Sequence, residues 1–112
     1  MNATVEQKIL RLAGLGVRAR TAVVGVEQVR REAERGRVRL GLIAADASAN
    51  SRDKVVPLLA AKGVTMLEMP SAERLGGIAG KVSTAAVGIL DARLARGMKE
   101  AVQTEGSVGE IG

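Results

Sequence analysis

The 112-residue chain contains no Phe, Tyr or Trp, and that absence constrains its fold more than any motif does. A core must be built from Val, Leu, Ile, Met and Ala, whose small volumes favour close packing of helices on a sheet. Hydrophobic residues make up 46% of the chain and charged residues 26%, with only two prolines, a globular rather than a disordered composition. A chain of this length buries roughly two-thirds of the surface its unfolded form exposes, enough for one modest core. The same absence removes the platforms on which most single-strand and RRM-type proteins stack unpaired bases.

Apolar periodicity alternates between helix and strand along the chain. Val5, Ile9 and Leu12 predict a first helix from about Thr4, its N-cap, to Gly14, where Gly14 and Gly16 end it. Thr21–Val24 is a short β-branched strand, and Gly25 turns into a second helix from Val26 to Arg35 that stops at Gly36. Arg37–Ala45 becomes continuously apolar, as in a central strand covered on both faces. After a polar run from Asp46 to Arg52, a third helix passes through Val55, Leu58 and Leu59 to Gly63. An interior proline costs about 3 kcal/mol, so its regular part is expected to begin close to Pro57.

Val64–Met69 reads as a strand halted by Pro70, Ser71 as the cap of a short helix through Leu75 and Ile78, and Thr84–Leu90 as a further strand. Asp91 caps a last helix with Leu94, Ala95, Met98, Ala101 and Val102 on one face. The pattern predicts an α/β fold, a three-layer α-β-α sandwich whose single mixed sheet of about four strands carries helices on both faces. Residues 1–102 form one domain, and the Gly/Ser/Glu-rich tail 103–112 lacks periodicity and is expected to be disordered.

The missing residue types also restrict chemistry. Without Cys, disulfides, thiolate catalysis and zinc–thiolate sites are excluded, and without His the commonest general base and transition-metal ligand are absent. No calcium-loop pattern is present, so no metal is expected. The apolar stretches are far shorter than the roughly 20 residues that cross a bilayer, and no basic segment with an apolar h-region opens the chain, which together predict a cytoplasmic protein without a membrane partner.

Two motifs resemble cofactor loops and fail in context. Gly14-Leu15-Gly16-Val17-Arg18-Ala19 fits G-x-G-x-x-A but follows a helix instead of a strand. Gly80-Lys81 suggests a P-loop, yet Leu75 stands where its first glycine is needed and Val82 where Ser or Thr holds magnesium. Glu32, Glu34 and Asp91 read as solvated helix residues and a cap. No catalytic residues and no cofactor are predicted, and the chain is expected not to be an enzyme. The charge is uneven: of the net +5, all arises in residues 1–39, which hold nine Lys/Arg against four Glu. A polyanionic partner should therefore meet elements from the first third.

The stretch Gly25-Val26-Glu27-Gln28-Val29-Arg30-Arg31-Glu32-Ala33-Glu34-Arg35-Gly36, leading into Val38–Asp46, resembles G-x-N-E-x-x-K-x-x-x-R-G followed by a strand ending in A-x-D. Val55-Pro57-Leu58 with Lys62-Gly63-Val64, then Met69-Pro70-Ser71-Ala72-Glu73-Arg74-Leu75-Gly76 and Ala79-Gly80, follow in the same order. On these motifs, spanning about residues 5–102, the chain resembles the kink-turn-binding large-subunit ribosomal proteins of the seven-Ae type, most nearly their small bacterial members.

The resemblance implies a non-catalytic protein that recognises structured RNA, a kink-turn or internal loop, in association with the ribosome or translation. Ribosomal proteins are implied as further partners, and a monomer is expected when free. It also implies a site at the N-terminus of the second helix, where Gly25, Glu27, Gln28 and Arg31 take the matching positions. Glu27 stands where the family has Asn, and Gln28 where it has Glu. A carboxylate can accept from a guanine edge, and an amide can both donate and accept. The loop Lys81, Val82, Ser83 and Thr84 matches the segment that packs against an extruded base, and Arg18, Arg20, Arg35 and Arg37 are candidate flanking phosphate contacts. On the residues alone, Glu27 and Gln28 read as first-turn helix residues and the arginines as a solvated face, and it is the resemblance that turns the reading toward RNA. The alternative to RNA recognition is a protein-interaction module that keeps the fold, and a nucleotide-binding enzyme is a more distant rival.

Overall fold

The computed structural model describes residues 1–105 and 110–111. Helix α1 (Ala3–Ala19) starts from Asn2, whose side chain accepts the Val5 N–H at 2.9 Å, two residues before the expected cap. It runs through both glycines that were expected to end it. Gly16 lets neighbouring elements approach closely there: a Cβ at that position would lie 3.0 Å from Ala22 Cβ and 3.1 Å from Leu94 Cδ1. At Gly16 this close approach offsets the lost helix propensity, about 1 kcal/mol; at Gly14 a Cβ would meet only Arg18 Nη1, at 3.6 Å. The actual stop is Arg20, left-handed at φ 62°, whose N–H turns back to the carbonyls of Gly16 and Val17.

Strand β1 (Ala22–Val24) leads through Gly25 into α2 (Val26–Glu34). Arg37 N–H then closes on Glu32 O at 2.9 Å, so the alternating Arg37-Val38-Arg39 is the exit from the helix, and β2 is confined to Leu40–Ala44. Helix α3 (Ala49–Ala61) is capped by Ser48, which accepts from Ser51 N–H at 3.1 Å, and it carries Pro57 in its interior. Its regular part begins well before the proline, because a local cap at Ser48 supplies a start that the proline does not prevent. Strand β3 (Thr65–Met69), the short α4 (Ala72–Gly77) with Ser71 as cap, β4 (Ala86–Ile89) and α5 (Ala92–Glu105) complete the alternation.

The sheet order is β1-β4-β2-β3, mixed, with β2 and β3 parallel and the other pairs antiparallel. A two-residue β5 (Glu110–Ile111) adds to the outer edge of β3. That strand and the run of α5 to Glu105 lie in the segment expected to be unstructured, while 106–109 and 112 fall outside the described residues.

Alternation along the strands separates two cores. Leu40, Leu42, Ala44, Leu67, Met69, Val87 and Ile89 meet α1, α4 and α5 through Val5, Ile9, Leu75 and Met98. On the other face Ile43, Met66 and Ala86 meet α2 and α3 through Val29, Ala33, Val55 and Leu59. The result is the expected three-layer sandwich, filled without any aromatic ring. Among the described residues no helix is long and apolar enough to cross a membrane.

Strand register gives the sheet two distinct ends. Val24, Ala44 and Met69 close their strands at one end, beside Ala86 at the start of β4; Ala22, Leu40, Thr65 and Ile89 lie together at the other.

Candidate nucleic-acid interface

At the first of these ends Gly25 holds the start of α2 in a conformation that glycine alone adopts readily, φ 102° and ψ 152°. Its N–H is tied to Ala86 O at 2.9 Å, and its carbonyl accepts from Val29 N–H at 3.0 Å. No side chain caps the helix, so the first-turn N–H groups, which have no acceptor within the helix, form a partially positive tip. Glu27 and Gln28 on this turn are both exposed. Arg31, four residues beyond Glu27 and three beyond Gln28, shares their side of the helix. Among the described residues none of these three side chains has a hydrogen bond or ion pair. Arg30, by contrast, is held by the Lys54 carbonyl and by Glu34 at 3.7 Å.

The connection from α4 to β4 lies against this tip. It folds back on its own helix: Lys81 N–H bonds to Gly76 O at 3.0 Å and Thr84 N–H to Ala72 O at 2.9 Å. Gly76 makes this path possible, since a Cβ there would stand 2.6 Å from Ser83 Cα and 2.7 Å from its carbonyl carbon. Lys81, Val82 and Ser83 project outward, and Val82 is 90% exposed, an unusual position for an aliphatic side chain. Thr84 turns inward, its hydroxyl donating to Ala86 O at 3.2 Å.

Between the loop and the tip of α2 runs an open groove lined by Val26, Ala47, Ser48, Ser51, Ser83 and Ala85. The β2–α3 connection thus contributes two serines that sequence reasoning did not single out; the signal available was the polar run from Asp46 to Arg52. Asp46 itself braces the site, accepting the Ala72 N–H at 2.8 Å, which fastens α4 to the end of β2. Arg52 bonds Ala44 O at 3.0 Å and Glu68 at 3.2 Å and is an internal strut.

The structure therefore sets the start of α2, through Val26, and the loop, through Ser83 and Thr84, on one groove; Gly25, Glu27 and Gln28 flank Val26 in the chain, Lys81 and Val82 precede Ser83, and Arg31 lies further along α2. The structure does not gather the four flanking arginines around them. Arg18 and Arg20 end α1 at the opposite end of the sheet, as do Arg35 and Arg37 after α2. The last two are also paired with the buried Glu32, each at 3.3 Å. Among the described residues no group of three or more His, Cys, Asp or Glu could hold a metal ion.

Comparison with known proteins agrees with this architecture. A structure of a protein of unknown function from Bacillus halodurans superposes with a TM-score of 0.76 at 26% identity, over 85% of this chain and 96% of that one. A 15.5 kD RNA-binding protein from Giardia lamblia superposes with a TM-score of 0.75 at 24% identity, over 93% of this chain and 89% of its own. No curated protein sequence matches significantly. The model of the ribosomal protein L7Ae/L30e/S12e/Gadd45 family matches residues 7–99, spanning every element from α1 to α5, and the chain belongs to that family.

Proposed function

We propose that the chain is a non-catalytic RNA-binding protein that recognises a kink-turn or internal loop through the tip of α2 and the Lys81–Ser83 loop. The observation that carries this reading is the set of unengaged polar heads, Glu27, Gln28 and Arg31, on an uncapped helix start beside the exposed Val82. Amide and carboxylate groups there suit base edges in a widened groove, the guanidinium and first-turn N–H groups suit phosphate, and Val82 suits an unstacked base. The ribosomal proteins of the family and the RNA-binding description of the Giardia lamblia protein support RNA as the partner. Within this reading the chain acts in the cytoplasm, on ribosomal or other translation-associated RNA, with ribosomal proteins as neighbours, and is a monomer when free.

A gel-shift titration against a kink-turn RNA and its unkinked mutant tests the proposal. The kinked RNA is expected to bind more tightly, with a log–log salt slope of roughly 0.7–0.9 per phosphate contacted. Equal binding to both removes kink recognition. Unchanged RNA affinity in a folded Gln28→Ala/Arg31→Glu variant favours a protein-interaction module that has kept only the fold.

A further inference from the structure

The end of the sheet opposite Gly25 gathers cations from several elements. Thr21 O accepts the Leu90 N–H at 2.8 Å, and Arg39 N–H bonds Ile89 O at 2.7 Å, while Leu40 pairs with Thr65. The strand ends and their flanking arms thus lie side by side. Below them opens a groove of about 550 Å³, lined by Gly36, Arg39, Lys62, Gly63, Arg96 and Lys99 among others. The α2–β2 connection supplies Arg39, the C-cap of α3 supplies Lys62, and the middle of α5 supplies Arg96 and Lys99.

These four cationic side chains make no hydrogen bond or ion pair among the described residues, and no carboxylate lines the groove. Of the acidic groups on the flanking elements, Glu100 lines a separate pocket with Thr4, Val5 and Lys8, and two others are engaged elsewhere. Glu32 is buried against Arg35 and Arg37, and Asp91 accepts the N–H groups of Arg93 and Leu94 at 2.7 and 3.2 Å. Arg18, Arg20 and Arg93, all exposed, extend the positive field around the rim.

A protein partner needs an apolar anchor as well as charge. Among the described residues the large apolar side chains left exposed are Leu15 and Val82, and neither lines this groove, whose apolar members are the buried Val38 and Ala95, the half-buried Val64 and the small Ala92. Four unpaired cations converging on an open channel, with Gly36 and Gly63 allowing close approach, match a regularly charged, sugar–phosphate surface instead. We propose that this groove holds the phosphate backbone of a second, duplex RNA segment, so that one copy of the chain bridges two RNA elements from opposite ends of its sheet. The inference stands on residues other than those of the kink-recognition site and does not depend on that site's specificity.

The test uses the full chain and an uninterrupted RNA duplex, followed by fluorescence anisotropy across a salt series. Replacing Arg39, Lys62, Arg96 and Lys99 together by Gln is expected to weaken duplex binding about tenfold or more, and to lower the log–log salt slope by ~0.7–0.9 for each phosphate that the variant no longer neutralises. Arg11→Gln/Lys54→Gln, which removes two exposed charges outside the groove, is expected to change duplex binding far less. Circular dichroism checks folding, and Arg39→Gln/Arg96→Gln, with half the charge removed, gives a proportionate loss if the fourfold variant does not fold. Duplex affinity and slope that stay at wild-type values in a folded variant overturn the proposal. So does displacement of the duplex by polyglutamate at lower concentration than by unlabelled duplex, which assigns the groove to an acidic polypeptide. Failure of kink discrimination with duplex binding intact leaves this proposal standing and removes only the other.

Discussion

Arg74 Nη1 lies 2.7 Å from Glu6 Oε1, joining α4 to the first turn of α1 across the upper edge of the first core. The Glu6 side chain is 6% exposed, whereas that of Arg74 is 67% exposed, so the pair is asymmetric: removing the arginine leaves a carboxylate with little water around it. Arg74→Ala is expected to destabilise the protein by about 1–3 kcal/mol, the cost of an unsatisfied buried polar group, read as a lower urea midpoint. Arg93→Ala, which removes an equally long side chain that has no ion pair, serves as the reference. A loss at Arg74 no larger than at Arg93 shows that Glu6 is rehydrated and that the pair contributes nothing.

The loop that follows the six-residue α4 packs its backbone directly on Gly76. Gly76→Ala places a methyl within 3 Å of three backbone atoms of Ser83, which cannot yield as a flexible side chain would. The variant is expected to lose about 1–3 kcal/mol and, with Lys81 to Ser83 displaced, to bind kink-turn RNA more weakly. At the adjacent Gly77 an added Cβ meets nothing within 4 Å, and Gly77→Ala should be neutral or stabilising by up to about 1 kcal/mol. Equal effects of the two substitutions contradict the role assigned to Gly76.

Much of this architecture was legible because it follows from local rules. The alternation of Val5/Ile9 spacing with apolar runs such as Leu40–Ala44, and caps such as Ser71 and Asp91, identified every helix and the four long-range strands. What escaped notice depends on contacts between distant residues. Gly14 and Gly16 look like a helix stop, yet Gly16 is a packing site for Ala22 and Leu94. The arginines at 18, 20, 35 and 37 look like neighbours of Gln28 because they are near it in sequence. The antiparallel return of α2 along the sheet instead carries Arg35 and Arg37 to the far end, about 13 Å of helix away at 1.5 Å per residue. Charge density in the first third was visible; its division between two ends of a sheet required the strand register.

Gly25 tests whether the backbone at the tip of α2 matters independently of side chains. Its surroundings are open, with nothing within 4 Å of an added Cβ, but its φ of +102° is strained for any other residue. Gly25→Ala is expected to cost about 1–3 kcal/mol in stability through conformation alone. It should also weaken RNA binding by tilting the first turn relative to Val82. A variant that keeps wild-type stability and kink-turn affinity shows that the helix start relaxes to a common conformation without consequence.

Pro57 sits nine positions into α3 and is exposed, a location where proline both lacks the N–H that Asp53 O would accept and crowds that carbonyl. Alanine at this position restores the bond, a gain of up to about 3 kcal/mol, partly offset by roughly 0.4–1 kcal/mol from the greater freedom of the unfolded chain. Pro57→Ala is therefore expected to be more stable by about 1–2 kcal/mol, seen as a Tm several degrees higher. RNA affinity should not change, because the groove takes Ser48 and Ser51 from the other end of the helix. A less stable variant instead shows that the proline sets the axis on which Val55 and Leu59, both fully buried, dock against Met66 and Ile43. The interior proline then belongs to the packing of the second core rather than being a tolerated defect in it.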